Sequence, residues 1–168
     1  MGNLVQLGLT LEHAGSVASH RGEYSRAMVL PQIHVSAVVF RDAQGQVLTV
    51  RKHGTDKFMF PGGKPEPGET SVETAIREVR EEIGVSLKAK QLTQLGIFEA
   101  PAANEAEHNV VATVFIHEGD TVVPHSAAEI AELSWVSPHH SDVALAPLLV
   151  DHVFPALGHD LEDSSAIS

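Results

Sequence analysis

The sequence predicts a single mixed α/β domain of the α+β kind. Three observations carry that expectation: apolar runs of period two that read as strands, one strongly capped helix near the middle of the chain, and an element order without repeated βαβ units. At 168 residues and 43% hydrophobic content, the chain is long enough to bury one core. Residues 1–28 mix Gly, Ser and His without a sustained period and read as an extension. The domain is placed at 29–157, and residues 158–168 as a polar, disordered tail.

The first strand is expected over 32–40, where Ile33, Val35, Ala37 and Val39 alternate with other residues. Turn residues follow at 42–45 and a second run at 46–51, so the two strands are expected to pair as a hairpin. Phe58, Met59 and Phe60 form a short apolar run stopped by Pro61, Gly62 and Gly63, and 64–68, with two prolines and a glycine, must be a loop. Thr70 with Glu73 makes a capping box and Gly84 stands where a left-handed cap falls, which sets a helix over 71–83. Further strands are expected at 92–99, 109–117 and 133–136. A last helix lies between 141 and 157, with Pro147 in its first turn and the helix proper beginning near Ala146.

Charge and composition exclude several function classes. A formal net charge of −11 repels polyanions and leaves few cations for counterion release, so no long nucleic-acid partner is expected. A small phosphorylated ligand stays compatible, because a bound divalent cation reverses the local potential. The absence of cysteine removes disulfides, thiolate zinc sites and cysteine nucleophiles, and makes the cytoplasm the default compartment. The first ten residues carry no Lys or Arg and do not read as a secretory signal; no run is long enough to span a bilayer. Eleven histidines show no helical spacing with a third ligand nearby, and no histidine metal site is expected.

The helix carries the chemistry. At 100° per residue, Val72, Ala75, Ile76, Val79 and Ile83 share one arc, the expected core stripe, while Glu78, Glu81 and Glu82 share another, expected to be exposed. Like charges at i, i+3 and i+4 destabilise a helix by about 0.2–0.5 kcal/mol per pair, so something must compensate. On spacing alone the plain reading is a solvated acidic face. A hard cation such as Mg²⁺ or Mn²⁺, which prefers oxygen ligands, is the alternative. Arg77, beside Glu81 on the wheel, supplies a guanidinium able to fix carboxylate geometry.

At these residues the sequence resembles a known family. Gly63, Glu69, Arg77, Glu78, Val79, Glu81, Glu82, Gly84 and Val85 match the Nudix box, G-x5-E-x7-R-E-U-x-E-E-x-G-U with U apolar, at every specified position. Seven fixed identities, each at roughly 6–7% background usage, coincide by chance on the order of once in 10⁸ starting points. The order of strands and helices from 28 to 157 is similar too, as are the Phe-Pro-Gly-Gly lead-in and a tryptophan strand after Glu129.

The resemblance implies a Nudix-type α/β/α sandwich with a mixed sheet and a loop-helix-loop catalytic motif. It implies that Glu78, Glu81 and Glu82 bind Mg²⁺ or Mn²⁺, that Arg77 orients them, that Glu69 supports Arg77, and that the Gly62 carbonyl is a further ligand. A general base is still needed. Glu81 and Glu82 qualify inside the box; Glu105, Glu107 and Glu129 stand in or beside expected loops, and Glu129 is the choice among them. Arg51 and Lys52, at the end of a strand leading to the box, are placed to reach a substrate phosphate. Gly63 is also expected to meet the substrate, and Phe60, with Met59, is the expected lining of a base pocket, although such residues are more often core, as Trp135 is expected to be.

The expected activity is metal-dependent hydrolysis of a phosphoanhydride bond in a nucleoside diphosphate-linked compound, foremost a nucleoside triphosphate split to monophosphate and pyrophosphate. An ADP-ribose or nucleotide-sugar pyrophosphatase is the alternative enzyme. A non-catalytic, nucleotide-binding regulatory domain is the alternative of another class, but loss of box carboxylates would mark it and all are present. Glu81→Gln or Glu82→Gln is expected to lower turnover and leave the fold intact. The expected partner is a small nucleotide; no membrane is involved, and a homodimer, with residues 1–28 packed on the partner, is left open.

Overall fold

In a computed structural model of the chain, residues 30–127 and 129–158 are described. The extension at 1–28 lies outside them, as does the expected tail except for its first residue, Gly158, which belongs to the last helix. Eight elements carry the fold, besides a 3₁₀ turn at Ala89–Gln91. They are β1 (Gln32–Val39), β2 (Val47–Lys52), β3 (Gly62–Gly63), α1 (Ser71–Ile83), β4 (Leu92–Pro101), β5 (Asn109–His117), β6 (Ile130–Val136) and a C-terminal helix, α2, at 147–158. No described helix is long and apolar enough to cross a membrane.

The main sheet is mixed, in the order β3-β1-β5-β4. β1 runs parallel to β5, from Gln32 opposite Asn109 to Val39 opposite Ile116, while β3 and β4 are antiparallel to their neighbours. Alternation on β1 feeds two cores. Ala37 and Val39 pack with Leu149, Val153 and Phe154 of α2; Val38 and Phe40 pack with Ala75, Val79 and Ile83 of α1. A sheet covered on both faces by helices is the α/β/α sandwich expected above.

The hairpin expectation is corrected. A turn does form, with Asp42 Oδ1 accepting from the backbone N–H of Gln44 and Gln46 at 2.9 and 2.8 Å, and the Leu48 N–H bonds the Phe40 carbonyl at 3.1 Å. Beyond that the strands part, and β2 joins β6 in a separate two-stranded antiparallel sheet, with Leu48 opposite Trp135. All of Val47, Leu48, Thr49 and Val50 are buried, so β2 needs cover on both faces, and the distant β6 with its partly buried Leu133 and Trp135 helps to supply it.

α1 has the predicted bounds and caps. The Thr70 side chain accepts from the Glu73 N–H, the Glu73 carboxylate accepts from the Thr70 N–H at 2.8 Å, and Gly84 takes the left-handed conformation at φ 69°. Its buried stripe is turned from the predicted one. Thr74, Ala75, Val79, Glu82 and Ile83 are buried, while Val72 and Ile76 are only partly so. The helix packs on β1 and β3 together, and Glu82 lies on the side that meets Gly62 of β3.

The last helix begins at 147, as its proline suggests, but Leu148–Val153 is wound as a π-helix, in which the Phe154 N–H reaches the Leu149 carbonyl. β6 begins at Ile130, three residues before the expected start, and β4 continues to Pro101.

Candidate active site

The loop before α1 is anchored by Glu69. Its Oε2 accepts from the Glu66 N–H at 2.8 Å, the Thr74 hydroxyl at 3.0 Å and Arg77 Nη2 at 2.9 Å, while Oε1 accepts from Arg77 Nε at 2.7 Å. The Arg77 contact, aided by the Glu66 N–H, holds the Glu69 carboxyl at about 2, and Glu69 in turn raises the Arg77 guanidinium above its ordinary value. Arg77 also donates to Glu78 Oε1 at 2.8 Å, Glu81 Oε2 at 3.1 Å and the Lys64 carbonyl at 3.0 Å. One planar fork thus ties three carboxylates and the loop after β3 to a single point.

Glu78 lies flat against β3. A Cβ built on Gly63 would stand 2.5 Å from the Glu78 carboxyl carbon, and one on Gly62, at φ 153°, would stand 2.1 Å from the Ser36 carbonyl oxygen. The double glycine is required by these two approaches. Glu81 is half exposed at the rim.

Glu82 departs from the sequence expectation. It is fully buried, its Oε2 accepting from the Gly62 N–H at 3.0 Å and its Oε1 standing 2.7 Å from Lys52 Nζ. That close ammonium is the charged partner of Oε1 inside the fold. Burial pushes the Glu82 carboxyl above its ordinary value, opposed by the Lys52 charge. Burial alone would lower the Lys52 ammonium, but the Glu82 charge and contact, with smaller help from Glu129 and Glu78, raise it instead.

A cleft of about 600 Å³ opens beside these groups. Glu78, Glu81, Glu129, Lys52 and Lys64 are among its lining residues, and so are the apolar Ile33, Val35, Met59, Phe60, Val110 and Leu149. Phe60 stands both in the core, edge-on to Phe154 at 6.1 Å, and on the cleft. Glu129 is exposed on the cleft wall, its Oε2 3.9 Å from Lys52 Nζ.

Arg51 is not among the cleft residues. It donates to the Thr55 carbonyl and to Glu132 Oε2, both at 3.1 Å, and lies over the Phe58 ring at 5.8 Å. Adjacent residues of a strand point to opposite faces, and only Lys52 of the two is on the cleft side. Sequence reasoning missed Lys64, whose Nζ bonds Glu105 Oε1 at 3.1 Å across the cleft mouth; its place directly after the double glycine was the available signal. It also missed that the Ile33–Val35 end of β1 faces the cleft.

The donor set suits a hard divalent cation in kind: carboxylate oxygens, one of them buried with only an ammonium as its partner, next to a glycine backbone. Among the described residues, no three acidic or histidine groups converge closely enough to coordinate one ion. Arg77 and Lys52 hold Glu78, Glu81 and Glu82 in separate contacts, so these side chains must turn to share one.

The NUDIX domain profile matches residues 30–153. The chain belongs to the Nudix family. Among its Nudix relatives, the 8-oxo-dGTP diphosphatase of Haemophilus influenzae is 31% identical over 119 residues, spanning 68% of this chain and 83% of that protein. An ADP-ribose pyrophosphatase of Methanocaldococcus jannaschii is 36% identical over 93 residues, 54% of this chain and 53% of its own. The crystal structure of a MutT protein from Methanosarcina mazei superposes with a TM-score of 0.64 at 26% identity, covering 80% of this chain and 99% of that one. The protein is therefore an enzyme, a Nudix pyrophosphohydrolase acting on a nucleoside diphosphate-linked substrate, and Nudix hydrolases generally use divalent metal ions.

Proposed function

We propose that this Nudix hydrolase splits a nucleoside triphosphate, standard or oxidised, into a monophosphate and pyrophosphate, with Mg²⁺ or Mn²⁺ held by Glu78, Glu81, Glu82 and the Gly62 carbonyl. The observation that carries the reading is one cleft lined both by the α1 carboxylates Glu78 and Glu81 and by apolar residues of β1 and α2. When bound, the cation offsets phosphate charge and acidifies water.

The remaining roles belong to the chain. Arg77 positions Glu78 and Glu81, and Glu69 positions Arg77. Gly63 lets the backbone approach the diphosphate, Lys64 and Lys52 face its oxygens, and Phe60 with Met59 borders the base. A water oxygen bonds one phosphorus, the bridging P–O bond breaks, and the water proton passes to a carboxylate. Glu129 is the proposed acceptor, because it is an exposed acid on the cleft wall outside the Arg77 network. Arg51 takes no part in phosphate binding. A cysteine-free chain with a small nucleotide as partner fits the cytoplasm.

A second reading, hydrolysis of ADP-ribose to AMP and ribose 5-phosphate, is favoured by the 36% identity to an ADP-ribose pyrophosphatase. A panel of nucleoside triphosphates, oxidised nucleotides and ADP-ribose, with Mg²⁺ and with EDTA, separates the two. Pyrophosphate release from triphosphates supports the first reading; turnover of ADP-ribose alone replaces it with the second, and undiminished turnover in EDTA removes the cation from both.

A further inference from the structure

A carboxylate with no exposure must be neutralised where it stands. At Glu82 the Gly62 N–H occupies Oε2 at 3.0 Å, which leaves Oε1 to a cation. The Lys52 ammonium, on the last side chain of β2, reaches that oxygen at 2.7 Å. Lys52 is not locked there. It keeps 29% of its side-chain surface, lines the cleft, and has a second acid, Glu129, at 3.9 Å on the solvent side. An ammonium and a divalent ion at one buried carboxylate oxygen repel each other, so each weakens the other's hold there.

We propose that Lys52 is a built-in competitor for the divalent cation at Glu82: the two are rival counter-ions of Oε1, and cation binding moves the Lys52 ammonium toward Glu129. The inference rests on the reading of Glu82 as a cation ligand. Two consequences follow. Glu82 always has a counter-charge, so the fold does not depend on the metal; and metal affinity is held below what the carboxylates alone would give, which keeps the ion exchangeable.

The test is Mn²⁺ binding to the full chain, read from the electron paramagnetic resonance of free Mn²⁺, for the wild type, Lys52→Met and Glu82→Gln. Lys52→Met is expected to bind Mn²⁺ about tenfold more tightly and Glu82→Gln more weakly. Unchanged or weaker binding in Lys52→Met, with Glu82→Gln weakened, overturns the competition and leaves the cation site standing. Binding that Glu82→Gln does not alter overturns both. Should Lys52→Met fail to fold, the Lys52 ¹⁵Nζ resonance of the wild type decides: it is expected to move on Mg²⁺ titration in step with binding, and a stationary resonance overturns the proposal.

Discussion

Gly63 offers a perturbation that strikes the site and spares the fold. Its φ lies outside the left-handed region, so alanine fits the backbone, but the new Cβ would stand 2.5 Å from the Glu78 carboxyl carbon. Ordinary contact begins at 3.4 Å, so the carboxylate must retreat by about 0.9 Å. Arg77 holds that carboxylate at 2.8 Å, and the retreat strains this contact too. A misplacement near 1 Å costs about 100-fold in rate where geometry governs the chemistry, while moving the tip of one side chain costs the fold about 1 kcal/mol. Gly62→Ala is the contrast. Its Cβ would meet the Ser36 carbonyl oxygen at 2.1 Å, backbone against backbone, so β3 cannot dock on β1 and stability falls by more than about 3 kcal/mol. Pyrophosphate release with Mg²⁺ and urea denaturation, run on both variants, give the two numbers. Wild-type turnover in Gly63→Ala, or equal destabilisation in the two, would refute the reasoning.

Glu81→Gln should lower kcat by orders of magnitude at unchanged stability, since Glu81 is half exposed. Glu82→Gln should match that loss and also cost about 2 kcal/mol, less than the 3–5 of a fully buried pair because Lys52 keeps 29% exposure; equal stability of the two variants contradicts this. Arg51→Ala should leave KM within about twofold and cost about 1 kcal/mol through the Glu132 and Phe58 contacts; a tenfold rise in KM would return Arg51 to the cleft. Because Glu69 is depressed, its contribution to stability is complete above its ordinary value of 4.5 and is lost as pH falls toward about 2. The stability gap between wild type and Glu69→Gln should therefore close over that window in stepwise urea titrations, and a gap that widens on acidification reverses the sign.

What was legible in the sequence was local. The capping box at Thr70 and Glu73 and the glycine at 84 fixed α1 to the residue, because caps are satisfied by neighbours in the chain. Strand pairing was not legible, since Gln32 of β1 meets Asn109 of β5, and nothing local distinguishes that partner from the run after the turn. The burial of Glu82 escaped the helical wheel because residues were sorted by polarity. Yet position 82 stands three residues after Val79 and seven after Ala75, on the side that packs against β3. Arg51 and Lys52 were assigned together, yet adjacent strand residues point to opposite faces, and only Lys52 is on the cleft side. On β1 burial deepens from Ile33 to Val39, so the alternation seen in sequence marks core at one end and cleft wall at the other.

The claim on which the rest depends is that Glu78, Glu81 and Glu82 gather a divalent cation beside a diphosphate. A crystal structure with Mn²⁺ and a non-hydrolysable triphosphate analogue, read by anomalous scattering, tests it most directly. The account predicts manganese bonded to these carboxylates and to phosphate oxygens, with Lys52 withdrawn from Glu82. Manganese and phosphates bound elsewhere, with Arg77 and Lys52 still holding the three glutamates, would contradict it.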